Sequence, residues 1–419
     1  MAILEKETFH SEEFGTGDFT TSKQVLKMLD GTDYQEELKT VLGISEKNTQ
    51  VYKIGNSKQL LEAINILDKQ CSKEDIVVKR KNVHLKKLLE GEKAIFEIFG
   101  IDNKYLLKEN KSDLLEAETT YSAKTDLLDY YHFNKFANYC SDLQYEDLVG
   151  TINRYLIKVN QNNDEGVKLR ILHKTDDKKF YIRATTSPSE YKNFGINFSV
   201  AVALASLDKY VESAKHDIYI SNYCVDDSSI YVCFTFKNPV PVASNISLTF
   251  SLILENDELK RGAVSFNGLF KLTITEKGKT SQIYLKPEGI KKDKAYTETD
   301  LLTYAHRGNG NTVMEKISEL PSLIDYFIKQ VSEDAKKIAL IKSPDSVRSL
   351  IFDKIKFARQ EVFSKKYKEQ FKKRMSISVD SLYKLFELLR EVDELFENDD
   401  VISRDYWRQK LYRTLIDRK

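Results

Sequence analysis

The sequence predicts an α+β protein: a central, mainly antiparallel β-sheet with one helix, flanked by a mostly helical N-terminal region and an all-helical C-terminal region. Three observations predict it. Between Asn245 and Gly278 apolar residues recur at every second position, first Ile246, Leu248, Phe250, Leu252 and Leu254, then Val264, Phe266, Phe270, Leu272 and Ile274, the pattern of two half-buried strands. Sixteen glycines and six prolines among 419 residues fall well below the usual roughly 7% and 5%, so regular elements should be long and elaborate loops few. Beyond Asp300 the apolar spacing becomes three and four residues, which is helical.

Taken in order, residues 1–145 read as mainly helical. Val25 with Leu29, and Leu38 with Leu42, mark helical faces between Thr20 and Gly43, and Gly43 stands where a helix would end. A short strand is expected at Val51–Ile54. After it Gly55-Asn56-Ser57 can cap a helix carrying Leu60, Ile64 and Leu67. Two further helices are expected around His84–Phe99 and Leu127–Leu143. Residues 151–290 form the antiparallel, β-rich central region, with short strands at Tyr155–Val159, Val167–Ile171 and Phe180–Ala184. A helix over Ser199–Ala214 follows, then strands through Ile218, Ile230, the 245–278 pair, and Ile283 with Leu285. Short polar turns between consecutive strands favour antiparallel pairing over βαβ units. Pro287–Asp300 is charged and reads as a linker. Residues 300–419 are then helical, in segments Met314–Ile328, Ser346–Phe371 and Val379–Phe396.

The 65 basic and 64 acidic residues nearly cancel, so only local clustering can argue for a polyanionic partner. Cys71, Cys140, Cys224 and Cys233 lack the paired short spacings of a zinc site and are too few for a disulfide framework. No apolar run approaches the ~20 residues of a membrane span, and the first residues are charged from Glu5 onward. A soluble, cytoplasmic protein without membrane contact is the expectation.

Phosphate-loop, dinucleotide-fold, metalloprotease and nucleophile-elbow motifs are all missing, so no catalytic residue, metal or cofactor is expected. Three stretches stand out. Asp257-Glu258 with Lys260-Arg261 could supply an acid and a base or bind a cation, although the simpler reading is a solvated hairpin tip with weak local ion pairs. His306-Arg307-Gly308-Asn309 precedes a helix start, where His306 and Arg307 could meet an anion; a turn and a cap is the simpler reading. The third stretch is cationic: between Lys336 and Arg374 thirteen Lys or Arg stand against four acids, with Phe357, Phe363, Tyr367 and Phe371 interleaved. Lys354, Lys356, Arg359, Lys365, Lys366, Lys368, Lys372, Lys373 and Arg374 are its candidate nucleic-acid contacts. Its plainer reading is a solvated face balanced by the acidic segment Glu387–Asp400, with the aromatics in the core.

Asn256-Asp257-Glu258, then Arg261-Gly262-Ala263-Val264-Ser265, Leu269-Phe270-Lys271-Leu272 and Gly278, resemble the core pattern of the uncharacterised phage/plasmid-like protein family. His306-Arg307 corresponds to a later basic pair. Lys260 stands where that pattern has glycine, and Thr275 and Lys277 replace a cysteine and an asparagine. The resemblance implies a bacteriophage or mobile-element origin and supplies no reaction. The leading expectation is therefore a phage- or mobile-element-encoded, non-catalytic accessory protein that binds DNA, RNA or a nucleoprotein complex. The alternative is a self-assembling interaction protein, a virion component or host-factor inhibitor, associating through Leu382, Leu385, Leu389, Val392 and Phe396. These five repeat at coiled-coil-like spacing, for which an intramolecular helix pair is the plainer account. An enzyme is the third reading, and it requires Asp257, Glu258, His306 and Arg307 to converge in one pocket.

Overall fold

Strand pairing divides the chain between two large sheets. The computed structural model describes residues 4–8, 16–30, 32, 34–44, 50–90, 93–130, 132–143, 145, 148–160, 165–214, 216–259, 263–287, 290–292, 295–297, 301–306, 309–357, 363, 365–396 and 401–417. The fold is mixed α+β, with thirteen α-helices and nineteen strands among the described residues.

The nine-stranded sheet is built on a meander. Ile218–Asp226, Ser229–Phe236, Ile246–Asp257, Val264–Glu276 and Lys279–Leu285 each pair antiparallel with the next. The long central hairpin keeps one register from Ile246 opposite Ile274 to Glu255 opposite Ser265. The period-two residues explain the choice: Leu248, Phe250, Leu252, Leu254, Val264, Phe266, Phe270 and Leu272 are all buried in one core. That core also takes the helix Ile196–Ala214, almost wholly buried, and the inner face of the 30-residue helix Gly310–Ala339. Gly268 permits the second approach, because a Cβ there would stand 2.2 Å from the Phe327 ring.

The six-stranded sheet is the larger departure from expectation. It takes Cys71–Lys79, Val83–Leu89, Lys93–Phe99 and Leu114–Thr119 from the first part of the chain, and Gly166–Lys174 with Lys179–Thr186 from beyond residue 151. His84–Phe99, expected as a helix, is thus a pair of antiparallel strands. The physical reason is alternation: Ala94, Phe96 and Ile98 are buried with charged or half-exposed residues between them. Tyr155–Val159, expected as a strand, lies in the helix Leu148–Asn160, where Ile152 and Leu156 share a buried face four residues apart. The β-rich stretch therefore contains two helices, not one, and the N-terminal region carries eight strands beside its six α-helices among the described residues. The sheet, with its own core of Ile76, Leu85, Phe96, Leu169 and Ile182 among others, straddles the boundary placed at 145–151.

Other expectations hold. Helices Ser22–Leu29 and Gln35–Leu42 end the first segment, with Gly43 left-handed at φ 67°. Ser57–Gln70, Gly166–Lys174 and Lys179–Thr186 fall where the periodicity puts them. The 287–300 linker is in part a two-stranded ribbon, Ile290–Lys292 with Ala295–Thr297; 288–289, 293–294 and 298–300 lie outside the described residues. The segment 346–371 divides into helices Pro344–Lys356 and Lys365–Met375.

Candidate functional site

The end of the strand Ile246–Asp257 is where the two sheets meet. Asp257 Oδ1 accepts from Leu259 N at 2.7 Å, closing a local turn, and Glu258 N donates to Ser228 O at 2.8 Å. The turn drives the Glu258 side chain inward, so the expected solvated tip is instead a buried carboxylate, 4% exposed. Its partners come from the other sheet: Arg183 Nη1 at 3.0 Å, Lys73 Nζ at 3.5 Å and Arg170 Nη2 at 3.7 Å. A fourth donor, Ile196 N at 2.9 Å, belongs to the first turn of the helix Ile196–Ala214, whose exposed N–H groups favour a negative charge.

Strand geometry explains which cations arrive. Asp75 and Arg170 are direct cross-strand partners, joined by Nε to Oδ1 at 3.1 Å. They lie on the face opposite Ile76, Leu169 and Ile171, which fill the second core. A register shift between Ile182 and Ala184 leaves Arg183 as an extra residue, and such a bulge re-aims a side chain. Arg183 is fully buried, and its Nη1 also donates to Asp227 O at 2.5 Å. Arg170 Nη1 reaches Tyr191 OH at 2.5 Å and the Glu258 carbonyl, which Tyr191 OH also meets at 2.9 Å.

Electrostatics follow from this packing. Burial alone would raise the Glu258 carboxyl, but Lys73, Arg183 and Arg170, with the Ile196 N–H, hold it well below the usual carboxylate range. His306 enters from behind, stacked on Tyr191 at 5.3 Å and 10°. The Asn256 amide Nδ2 donates to Phe194 O and Ser199 Oγ, so Asn256 Oδ1 faces the imidazole and His306 Nε2 donates to it at 3.1 Å. Burial, then Arg170, lowers the His306 pKa and keeps the ring neutral.

Of Asp257, Glu258 and His306 only Glu258 lines the neighbouring cleft, and each of the three is engaged by other groups. The Asp257 carboxylate closes its own turn, Glu258 is saturated by cations, and His306 donates through Nε2 to Asn256 while its backbone carbonyl accepts from Lys192 N at 2.6 Å. His306 is therefore not the anion contact expected at the following helix start; Arg307 lies outside the described residues. A cleft of about 460 Å³ opens beside the cluster, with Asp30, Asp68, Glu74 and Asp75 on its walls as well as Glu258, against Lys73 and Arg170. Its acidic lining disfavours phosphate. Among the described residues no group of three or more His, Cys, Asp or Glu is placed to hold a metal.

The cationic segment lies elsewhere, on the C-terminal helices. Lys354 and Lys356 belong to Pro344–Lys356, and Lys365, Lys366, Lys368, Lys372, Lys373 and Arg374 to Lys365–Met375. Arg359 and the Lys366 side chain lie outside the described residues. Lys372 pairs with Glu369 at 2.7 Å and Arg374 with Glu391 at 3.7 Å, so the acidic segment 387–400 meets this face through Glu391 among the described residues. Among the described residues Lys354, Lys356, Lys365 and Lys373 have no carboxylate partner. Phe363 and Phe371 are buried and stacked at 4.7 Å, as core. Leu385, Leu389, Val392 and Phe396 are buried too, with Leu382 partly so, on a helix packed against the strand Lys279–Leu285. The chain itself covers this stripe, and these five side chains do not form a free self-association surface.

Scans against protein-family models, curated proteins and solved structures find no match to this chain. No helix among the described residues is long and apolar enough to cross a membrane. Sequence reasoning missed Lys73, Arg170, Arg183 and Tyr191. The signal was a charge inside strand-like apolar runs: Arg170 within Val167–Leu172 and Arg183 within Phe180–Ala184. A charge in such a run must be paired.

Proposed function

We propose that the protein is a non-catalytic accessory protein that binds nucleic acid, or a nucleoprotein complex, through the cationic face of helices Pro344–Lys356 and Lys365–Met375. One observation carries this reading: Lys354, Lys356, Lys365 and Lys373 have no carboxylate partner among the described residues. Lysines left in water can each neutralise a phosphate and release a counterion. Lys372 adds to them, since a surface pair such as Lys372–Glu369 is worth only about 0–1 kcal/mol and yields to a phosphate.

A bacteriophage or mobile-element origin is part of the proposal and rests on the pattern at 256–278.

Fluorescence anisotropy with a labelled oligonucleotide, over a salt series, tests the reading. Five phosphate contacts on duplex DNA, the four lysines with Lys372, give a slope of log affinity against log salt of about −4.5. Lys365→Glu with Lys373→Glu should shrink that slope by about two. No binding at low salt, or a slope that the double reversal leaves unchanged, rules the reading out.

An interaction protein is the second reading. It is favoured by the exposed Phe136, Tyr139, Leu143, Tyr155 and Val159 on and beside the helices Asn134–Asp142 and Leu148–Asn160, since clustered apolar exposure marks contact surfaces. Light scattering that finds a defined oligomer without oligonucleotide affinity would favour it.

A further inference from the structure

Between Pro344 and Met375 the chain carries five aromatic side chains, and four of them turn inward. Phe352 is partly buried and stacks on Phe371 at 6.0 Å; Phe371 stacks on Phe363 at 4.7 Å; Phe363 continues to Phe396 at 4.7 Å and to Trp407 at 5.9 Å. Tyr367 packs against the same core. This column is complete without Phe357. Phe357 is 73% exposed at the C-terminal end of its helix, where its contribution to the cap is a backbone one, N–H to Asp353 O and Ile355 O. A polar residue would cap equally well and expose no apolar ring to water. Lys356 stands beside it, its Nζ 5.2 Å from the Phe357 centroid and 5.8 Å from that of Phe352.

We propose that Phe357 is a base-stacking platform and that the preferred ligand of this face is a single-stranded nucleic acid, bound without regard to sequence. The inference rests on the reading of the cationic helices given above and narrows it. Lys354, Lys356, Lys365 and Lys373 provide charge for a phosphate backbone, and an exposed aromatic ring beside Lys356 provides the π-face that an unpaired base takes up. In a duplex each base face is already covered by its neighbour, so Phe357 has nothing to stack on and only the charges act. The face should therefore hold single strands more tightly than the same sequence as duplex, by an increment that belongs to one ring.

The test uses the full chain, a labelled 20-nucleotide single strand of mixed sequence, and its duplex, titrated in parallel. Phe357→Ala should weaken single-strand binding by about 5- to 150-fold, the loss of one stacked base, and leave duplex binding and the salt slope unchanged. Phe357→Trp should restore single-strand affinity. Because the native chain has one tryptophan, Trp407, which is fully buried, the introduced indole should report stacking by quenching on addition of the single strand alone. The inference falls if Phe357→Ala leaves single-strand affinity intact or weakens both ligands equally. It also falls if that variant unfolds at lower urea, which makes the ring part of the fold. Failure of the parent reading looks different: the native chain then retains neither oligonucleotide at low salt.

Discussion

The Glu258 carboxylate lies 3.0 Å from Arg183 Nη1 at the junction of the two sheets, and Lys73 and Arg170 complete its surroundings from the same side. Glu258 directly follows a strand of the nine-stranded sheet; all three cations stand on the six-stranded one. A charge cluster of this kind binds the sheets by need as much as by attraction. Arg170 and Arg183 are 2% and 0% exposed, and neither could stay charged in the interior without a counter-charge.

Neutralising Glu258 should accordingly hurt far more than an ordinary polar substitution. Glu258→Gln keeps the shape and leaves the fully buried Arg183 without its carboxylate, while Arg170 retains Asp75; breaking a buried pair in this way costs about 3–5 kcal/mol. Urea unfolding at pH 7 measures it. A loss below about 1 kcal/mol means that water reaches the arginines and the junction is not the joint described.

The same carboxylate sets an acid limb. Its pKa in the folded chain lies below the unfolded value of about 4.3, because Lys73, Arg183 and Arg170 outweigh burial. The unfolded chain therefore binds the proton first. The stability that Glu258 contributes is complete above roughly pH 5 and is lost as the pH falls through 4 toward the folded pKa. Urea midpoints between pH 7 and pH 3 should fall less steeply in Glu258→Gln than in the native chain. Parallel profiles would assign the acid limb to other carboxylates.

His306 acts at a higher pH. Burial and Arg170 hold its pKa below the ordinary 6.5, so again the unfolded chain takes the proton first, and the contribution is whole above about pH 6.5 and declines below it. His306→Gln can still donate toward Asn256 and has no proton to gain. Its urea midpoint should change less between pH 7.5 and pH 5.5 than that of the native chain. An NMR titration giving His306 a pKa at or above 6.5 contradicts the burial on which this rests.

Where a residue pattern had one physical cause, the fold was legible. The Ile246–Ile274 alternation could be satisfied only by strands, and Leu60, Ile64 and Leu67 only by a helix. His84–Phe99 was misread because charged and apolar residues there fit both periods over a short run, and pairing with distant strands decided between them. Leu382–Phe396 has the same spacing whether it meets a second chain or its own sheet, and only the position of Lys279–Leu285 settles that these side chains are covered from within. The Asp257-Glu258 pair was visible in sequence, but its partners Lys73, Arg170 and Arg183 lie 185, 88 and 75 residues away. No local spacing could announce them. Phe357 and Phe363 are alike in sequence, and only packing separates the exposed ring from the buried one.

Gly195 offers the sharpest test of how tightly the junction is built. It stands just before the helix N–H that Glu258 accepts from, and a Cβ placed on it would lie 2.8 Å from Glu258 Oε1 and 3.1 Å from Asn193 Oδ1. A free carboxylate at the end of a flexible side chain could swing aside at little cost. This one is held by Arg183, Lys73 and Arg170 at once, so displacing it disturbs every one of those contacts. Gly195→Ala should thus destabilise the chain by about 1–3 kcal/mol, the range for overpacking a filled interior. In the Glu258→Gln background the side chain is no longer fixed by charge, and the same substitution should cost less, with a coupling above about 0.5 kcal/mol in a double-mutant cycle. Strict additivity of the two substitutions would mean that the methyl group and the carboxylate never compete for space, and the close approach of Glu258 to the helix start would have to be abandoned.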